Sequence, residues 1–309
     1  MKRFLLVLIW LALCPLLSQG QQQILNTQYV FNRHLINPAY TGIGNKLQAS
    51  FLFRSQWSGI EGAPNTQALS LHAPINRDKT ASLGGIIIRD EIGVTTQTGV
   101  YVTGAYALKI SSKKFLSFGL QGGFLNDQSR FSELEGFLED PLFAADDRTV
   151  YRPNFGAGIY VFDDRFHLGI SVPNLFEQKF DQIAFQQGAD IHSFVYVDAG
   201  YLFYMPNRWT LDMSMLVRAQ AQFSTQFDIN AVVGMREVIW FGVSYRSFES
   251  VDALFRLKLN DNYYFSYSYD FSTGPASLSQ VNSGSHEFMI QFGLSRLTRP
   301  RGMQKSKGW

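Results

Sequence analysis

The sequence is poor in cysteine, in charge and in long apolar runs, and each shortage excludes a class of protein. The one cysteine, Cys14, lies within the first 20 residues, so the rest of the chain can form neither a disulfide nor a cysteine-ligated metal site. Beyond those residues no segment reaches 18 consecutive apolar residues, which argues against a transmembrane helix. Only 17% of the residues are charged. Without the basic residues of the first segment, 25 Lys and Arg balance 25 Asp and Glu, so no nucleic acid partner is predicted.

The N-terminal segment has the features of a cleavable signal peptide. A basic start precedes the apolar run Phe4–Leu17, and the small residues Ser18 and Gly20 occupy the positions that precede a cleavage site. Cleavage is therefore predicted before Gln21, and the protein is expected to be exported. A membrane anchor is the alternative, but the run is shorter than the ~20 apolar residues that a span needs. A lipoprotein signal ending at Cys14 is a further alternative, disfavoured by the residues on either side of it.

From Lys46 onward, apolar and polar residues alternate with the period of two that β-strands show. The clearest alternation covers Trp209–Phe223, and it recurs in segments bounded by turn-forming residues. These segments indicate about fourteen strands. They are Leu47–Arg54, Thr66–Ala73, Ala81–Arg89, Gly99–Ile110, Phe115–Asn126, Arg152–Val161, Phe166–Val172, Phe194–Tyr204, Trp209–Phe223, Phe227–Arg236, Ile239–Phe248, Val251–Asn260, Tyr263–Phe271 and His286–Leu294.

The lengths of the connections favour a membrane barrel. Those after even-numbered strands are short, whereas several after odd-numbered strands are long, as in Trp57–Pro64, Asp127–Tyr151 and Pro173–Ile191. Outer-membrane barrels have short periplasmic turns and longer outer loops, and a soluble β-sandwich offers no reason for this parity. The predicted fold is therefore an all-β, transmembrane outer-membrane β-barrel of about 14 antiparallel strands, and outer-membrane lipid is an expected partner.

Charged residues fall on the polar phase of the predicted strands. They are Arg54, Asp212, Arg218, Asp228, Arg236, Asp252, Arg256, Asp270 and Glu287. On the lipid face near the midplane each cationic side chain would cost about 2–4 kcal/mol, so the charged phase is assigned to the lumen. A large β-sandwich with a charged, solvated face is the alternative interpretation.

The segment before the first strand has weak helical spacing over Ile24–Tyr40 and is interrupted by Pro38. It could lie in the periplasm or fold into the barrel mouth, and the pattern favours neither. The predicted organisation is a signal peptide at 1–20, an N-terminal periplasmic or lumen-entering segment at 21–45, a β-barrel at 46–297 and a tail at 298–309.

Several motifs resemble one family. NPAYTG at Asn37–Gly42, R-x-Q-W-x-G at Arg54–Gly59 and GAP-x-T at Gly62–Thr66 resemble the start of the PorP/SprF family of the type IX secretion system. YDFSTG at Tyr269–Gly274 and GSHEFMIQFGL at Gly284–Leu294 resemble its last two strands. The resemblance implies a non-enzymatic outer-membrane protein associated with protein secretion and gliding adhesins. Its implied partners are a secreted or surface-anchored cargo or adhesin protein and other type IX secretion components.

Two other functions have less support in the sequence. The NPA near the N-terminus also resembles the hatch of FadL-like channels for hydrophobic small molecules, but barely twenty-five residues separate the predicted cleavage site from the first strand. For an enzyme, the five histidines are scattered and no G-x-S-x-G elbow is present. The adjacent His286 and Glu287 would point to opposite faces of a strand, so they are a poor chelating pair. No catalytic, cofactor-binding or metal-binding residue is predicted.

The first hairpin carries the candidate partner-binding residues. They are Arg54, Gln56, Trp57, Gly59, Gly62 and Pro64. One interpretation is a surface on which a secreted partner docks. The other is structural, with Trp57 as an interfacial aromatic, Arg54 as an ion-paired lumen residue, and the glycines and proline shaping the turn. The sequence leaves both open.

Overall fold

The computed structural model describes residues 25–44, 46–130, 148–175, 193–220, 225–247, 249–273 and 283–294. These residues form fourteen β-strands, preceded by three short 3₁₀ turns. The 3₁₀ turns are Thr27–Val30, Arg33–Leu35 and Pro38–Tyr40, with a further one at Pro206–Arg208. The strands are β1 (Leu47–Ser55), β2 (Asn65–Pro74), β3 (Ala81–Ile92), β4 (Thr95–Lys109), β5 (Phe115–Ser129), β6 (Arg148–Phe162), β7 (Phe166–Val172), β8 (Phe194–Met205), β9 (Trp209–Gln220), β10 (Gln226–Met235), β11 (Ile239–Arg246), β12 (Ser250–Lys258), β13 (Tyr263–Ser272) and β14 (Ser285–Leu294).

The strands form one closed barrel in which each strand pairs with its neighbours in sequence. All strand pairs are antiparallel, and β1 pairs with β14 from Leu47 opposite Leu294 to Ser55 opposite His286. The predicted fourteen-stranded antiparallel barrel is therefore confirmed. The prediction for Arg236, which placed it on the polar phase at the end of a strand, is wrong. Arg236 lies in the turn after β10, with φ of 53°. No helix within the described ranges is long and apolar enough to cross a membrane.

Alternation along the strands separates a lipid face from a lumen face. In β1, Phe51 and Phe53 point outward and are exposed, whereas Ser50, Leu52 and Arg54 point inward and are buried. The same alternation places Phe288 and Ile290 of β14 outward beside them. An outward surface of large apolar side chains suits the hydrocarbon of a bilayer. The buried polar residues then need partners inside the barrel.

The two ends of the barrel differ in the length of their connections. At one end, the short-turn end, every connection spans at most six residues, as at 163–165 and 236–238. At the other, the long-loop end, connections include 56–64, 130–147, 173–193 and 273–284. Following the rule for outer-membrane barrels, we assign the short-turn end to the periplasm and the long-loop end to the cell exterior.

Cysteine labelling checks this orientation. Glu61 is exposed in the first long loop, and Ser112 is exposed in a short turn. In intact cells we expect a membrane-impermeant maleimide to label Glu61→Cys and to leave Ser112→Cys unlabelled, because only the long loops reach the exterior. Lysed cells, where both sites are accessible, serve as the control. Labelling of Ser112→Cys alone in intact cells would reverse the assignment.

The segment Leu25–Gly44, called the plug below, occupies the lumen. Its apolar residues Leu25, Tyr29, Val30 and Ile36 pack against inward side chains of the wall, namely Tyr196, Leu216, Val232 and Leu254. Phe31 and Leu35 pack against a second group, Leu52, Ala68 and Met289. The sequence allowed this segment to lie in the periplasm or to fold into the barrel mouth. The contacts observed here lie inside the barrel.

Candidate functional site

The first turn of the plug is held by a carboxylate of the wall near the long-loop end. Glu287 of β14 is fully buried, and its two oxygens accept hydrogen bonds from the backbone N–H groups of Thr27 at 3.0 Å and Gln28 at 2.8 Å. The first N–H groups of a helical turn have no partner within the turn. Glu287 therefore supplies the partners that the turn lacks, across 260 and 259 residues of sequence.

Arg54 neutralises this buried carboxylate. It lies directly opposite Glu287 in the β1–β14 register, and its Nη1 is 2.9 Å from a Glu287 oxygen. Its Nη2 lies 2.7 Å from Asp270, and only 2% of the residue is exposed. A buried guanidinium is tolerated when several carboxylates pair with it. The ion pairs therefore lock β1, β13, β14 and the plug to one another.

A second ion-pair group lies next to the first. Nε of Arg246, at the end of β11, is 3.1 Å from Asp228 of β10, and its Nη1 is 3.5 Å from Glu249 in the following turn. Burial opposes ionisation of Glu249, but Arg246, followed by Arg54, outweighs it and holds the pKa of Glu249 below its ordinary value. Arg246 therefore has two acidic side chains, Asp228 and Glu249, around its guanidinium.

The middle of the plug is attached by polar contacts on opposite sides of the lumen. Nε of Arg33 lies 2.9 Å from Asp198 of β8. On the other side, the amide of Asn32 donates to the hydroxyls of Ser50 at 2.7 Å and Ser70 at 3.0 Å. Because these partners belong to β8, β1 and β2, the plug bridges the barrel from wall to wall.

The NPA turn of the plug sits on glycines of the wall. The Asn37 side chain accepts a hydrogen bond of 2.9 Å from the N–H of Ala39, which closes the turn. A Cβ atom on Gly119 of β5 would overlap the backbone of Ala39, and one on Gly158 of β6 would overlap the Asn37 side chain. Only glycine lets the plug approach so closely. The motif NPAYTG is thus an element of the plug.

The loop between β1 and β2, residues 56–64, is called the first outer loop below. It is closed by a hydrogen bond of 2.9 Å from Gln56 N to Pro64 O. Its two sides are also tied to neighbouring loops, since Ser58 N donates to Gly284 O at 2.8 Å and Gly93 N donates to Gly62 O at 2.9 Å. Gly62 has φ of +71°, a conformation that favours glycine.

The candidate partner-binding residues divide between two locations. Arg54 and Gln56 are buried, and the Arg54 guanidinium faces the plug, so these two do not belong to an exposed docking surface. Pro64 is buried at the base of the loop. Trp57 is half-buried, and Gly59 and Gly62 are exposed. The part of the set that a partner can reach is therefore Trp57, Gly59 and Gly62.

The apolar wall residues that contact the plug were not identified from the sequence, although the sequence carried a signal for them. The inward phase contains apolar exceptions to the alternation, including Leu52, Leu216 and Met289, and each is almost fully buried. An apolar side chain facing a water-filled lumen would be unfavourable. These exceptions indicate that the lumen contains protein. No cluster of metal-ligating side chains occurs among the residues that the structure describes.

Comparison with known proteins agrees with the fold and the motifs. A family model described as "Type IX secretion system membrane protein PorP/SprF" matches residues 18–292. The chain belongs to this family. It is thus an outer-membrane barrel of the type IX secretion system. A search of the curated proteins found no match.

Solved structures similar to this PorP/SprF protein are outer-membrane barrels. The CymD monoaromatic hydrocarbon channel has a TM-score of 0.50 and 12% identity, with 89% of this chain and 95% of that chain covered. Omp33 of Acinetobacter baumannii has a TM-score of 0.46 and 7% identity, covering 81% and 100%. A Pseudomonas aeruginosa FadL homologue has a TM-score of 0.44 and 12% identity, covering 84% and 92%. At these identities, the likeness to CymD concerns the fold alone.

Proposed function

We propose that this barrel binds a secreted or surface-anchored protein of the type IX pathway at its outer end, without catalysis. The observation that carries the proposal is the plug. The plug crosses the lumen and is bonded to the wall on several sides. Such a lumen is poorly suited to conduct solutes. The exposed loops at the outer end are then the surfaces on which a partner can act.

The first outer loop is the proposed contact surface. Its backbone is bonded both to the segment before β14 and to the β3–β4 turn, so it is ordered before any partner binds. Preorganisation reduces the entropy lost on association. The loop also presents a large aromatic residue, Trp57, beside the exposed Gly59 and Glu61. Tryptophan is among the residues that most often dominate protein interfaces.

The loop also has a mechanical connection to the plug. Arg54, which pairs with Glu287 and Asp270, lies two residues before the loop begins at Gln56. A partner that pulls on the loop would therefore transmit force to the ion pairs of Arg54, which hold the first turn of the plug.

Truncation of Trp57 tests the docking proposal. We expect Trp57→Ala to fold normally and to release the cognate surface protein into the medium, because truncating a dominant interface residue costs about 2 kcal/mol or more. That loss corresponds to roughly thirtyfold weaker binding. The measurement is the amount of partner that co-purifies with the barrel, together with its display on intact cells.

Trp209→Ala is the matched control, because Trp209 is a partly exposed tryptophan at the short-turn end of β9. It should leave partner retention unchanged. If Trp57→Ala is folded and still retains the partner fully, the first outer loop is not the contact surface. If uptake of a hydrophobic molecule changes while display does not, the FadL-like channel is the better interpretation.

A further inference from the structure

A cavity lies between the first turns of the plug and the β2–β5 wall, close to the outer end. Its volume is about 100 Å³, smaller than the ~150 Å³ engineered cavity that holds the six carbon atoms of benzene. The plug lines it with Leu25 and Ile36, among others, and the wall lines it with Ile86, Ile88 and Asp90. A group of about four to five non-hydrogen atoms, smaller than benzene, therefore matches its size.

The apolar lining of this cavity is interrupted by unpaired acceptors. Asp90 Oδ1 and Asn26 Oδ1 are buried and have no hydrogen-bond partner among the described residues. The Asn26 side chain precedes the first turn of the plug without capping it. Both residues line the cavity. A buried acceptor without a donor is costly, so the cavity is suited to a group that brings donors.

The charges around the cavity favour a cation. Asp90 is the only charged residue that lines it within the described ranges. The nearby guanidinium of Arg54 is already paired with Asp270 and Glu287. In register, Asp90 faces Thr66 on one side and Gln97 on the other. The Thr66 hydroxyl is a neutral donor beside the Asp90 carboxyl, and the Gln97 amide donates to Asp127, so neither residue supplies a positive charge. A cationic donor on a short apolar stem would satisfy Asp90 and bury its stem among the aliphatic side chains.

We propose that this cavity binds a primary ammonium carried on a four-carbon chain. The group could be the lysine side chain of a docked protein or a free small amine. The lysine source rests on the proposed function, since it requires a partner at the outer end; the free-amine source does not. Asp90 lies near the end of β3 and Thr66 near the start of β2, so the cavity is within a few residues of the outer loops.

The test uses n-butylammonium, which reproduces the lysine side chain, and n-butanol as the uncharged analogue. Binding to the folded barrel in detergent micelles is measured by ligand-observed NMR. A ligand of this size is expected to bind with Kd on the order of 1 mM, and n-butanol at least about tenfold more weakly because it lacks the charge. Equal binding of both molecules, or no binding of n-butylammonium, would overturn the proposal.

Variants assign the binding to the cavity. Asp90→Asn keeps the shape of the side chain and should weaken n-butylammonium at least about tenfold by removing the charge. Glu91→Gln is the matched control, since Glu91 is the adjacent residue and points outward, exposed; it should change nothing. Ile88→Phe fills the cavity without altering any charge and should abolish binding independently. Unchanged affinity in Asp90→Asn and Ile88→Phe would place the amine elsewhere and refute the site.

Partner retention distinguishes the two sources. If Asp90→Asn lowers both n-butylammonium binding and partner co-purification, the ligand is a lysine of the docked protein. If it lowers amine binding but leaves the partner bound, the ligand is a free amine. In either case, binding of an ammonium group in the cavity is supported. Failure of the docking proposal would be seen in a separate experiment, as full retention of the partner by Trp57→Ala.

Discussion

Replacing Gly119 by valine is expected to displace the plug and open the lumen of the barrel. Any Cβ at this position would overlap the backbone of Pro38 and Ala39, so the NPA turn cannot sit against β5 in the variant. Once the turn is displaced, the contacts that follow it are lost as well, such as Thr41 with Thr103 at 3.0 Å. We expect the single-channel conductance in planar bilayers to rise on the order of tenfold or more, because the interior widens with strand number and a lumen wide enough to hold the plug admits water once the plug is displaced.

The matched control for this variant is Gly122→Val in the same strand. Gly122 belongs to the outward phase of β5, and a Cβ there would meet only the Phe155 ring at an ordinary 3.4 Å. It should leave the conductance low. Deletion of residues 25–44 is a second way to vacate the lumen, in case Gly119→Val does not assemble. If the conductance of both folded variants equals that of the unmodified barrel, the plug does not close the lumen.

Removing Glu287 is expected to cause the largest loss of stability. Glu287→Ala leaves two backbone N–H groups of the plug without acceptors and takes one of the two carboxylates away from the buried Arg54. Breaking a buried ion pair by deleting one partner typically costs about 3–5 kcal/mol. The free energy of unfolding, measured by urea titration of the heat-modifiable band, should fall by that amount. Lys258→Ala removes a solvent-exposed pair with Asp261 and should produce no measurable change.

A double-mutant cycle separates pairing from capping. Replacing Arg54 and Glu287 together by methionine removes both charges at similar volume. The double variant should then be less destabilised than the sum of the single variants, by about 0.5–3 kcal/mol, because neither Arg54 nor Glu287 remains buried without the other. It should not regain full stability, since Thr27 and Gln28 still lack their acceptors and Asp270 loses its ion pair with Arg54. Strict additivity of the two single effects would contradict a direct pair.

The sequence by itself determined the architecture of the wall. A strand that separates lipid from a polar interior must alternate with a period of two, and that local pattern is visible in segments such as Trp209–Phe223. The parity of connection lengths followed from the chain order alone, and it distinguished a barrel from a sandwich. The strand ends were less accurate, as Arg236 shows, because a turn residue with positive φ carries no apolar or polar signature of its own.

Only the tertiary structure decided what the lumen contains and what the polar residues do. Glu287 binds Thr27 across 260 residues, and no local period encodes a contact at that separation. The sequence assigned Arg54 to the lumen phase but left a docking role open, until the β1–β14 register placed it opposite Glu287. Gly119 differs from Gly122 only in the face of β5 that it occupies and in the plug that lies against it. The sequence records which side chains point inward, but their function depends on which chain segment fills the space that they face.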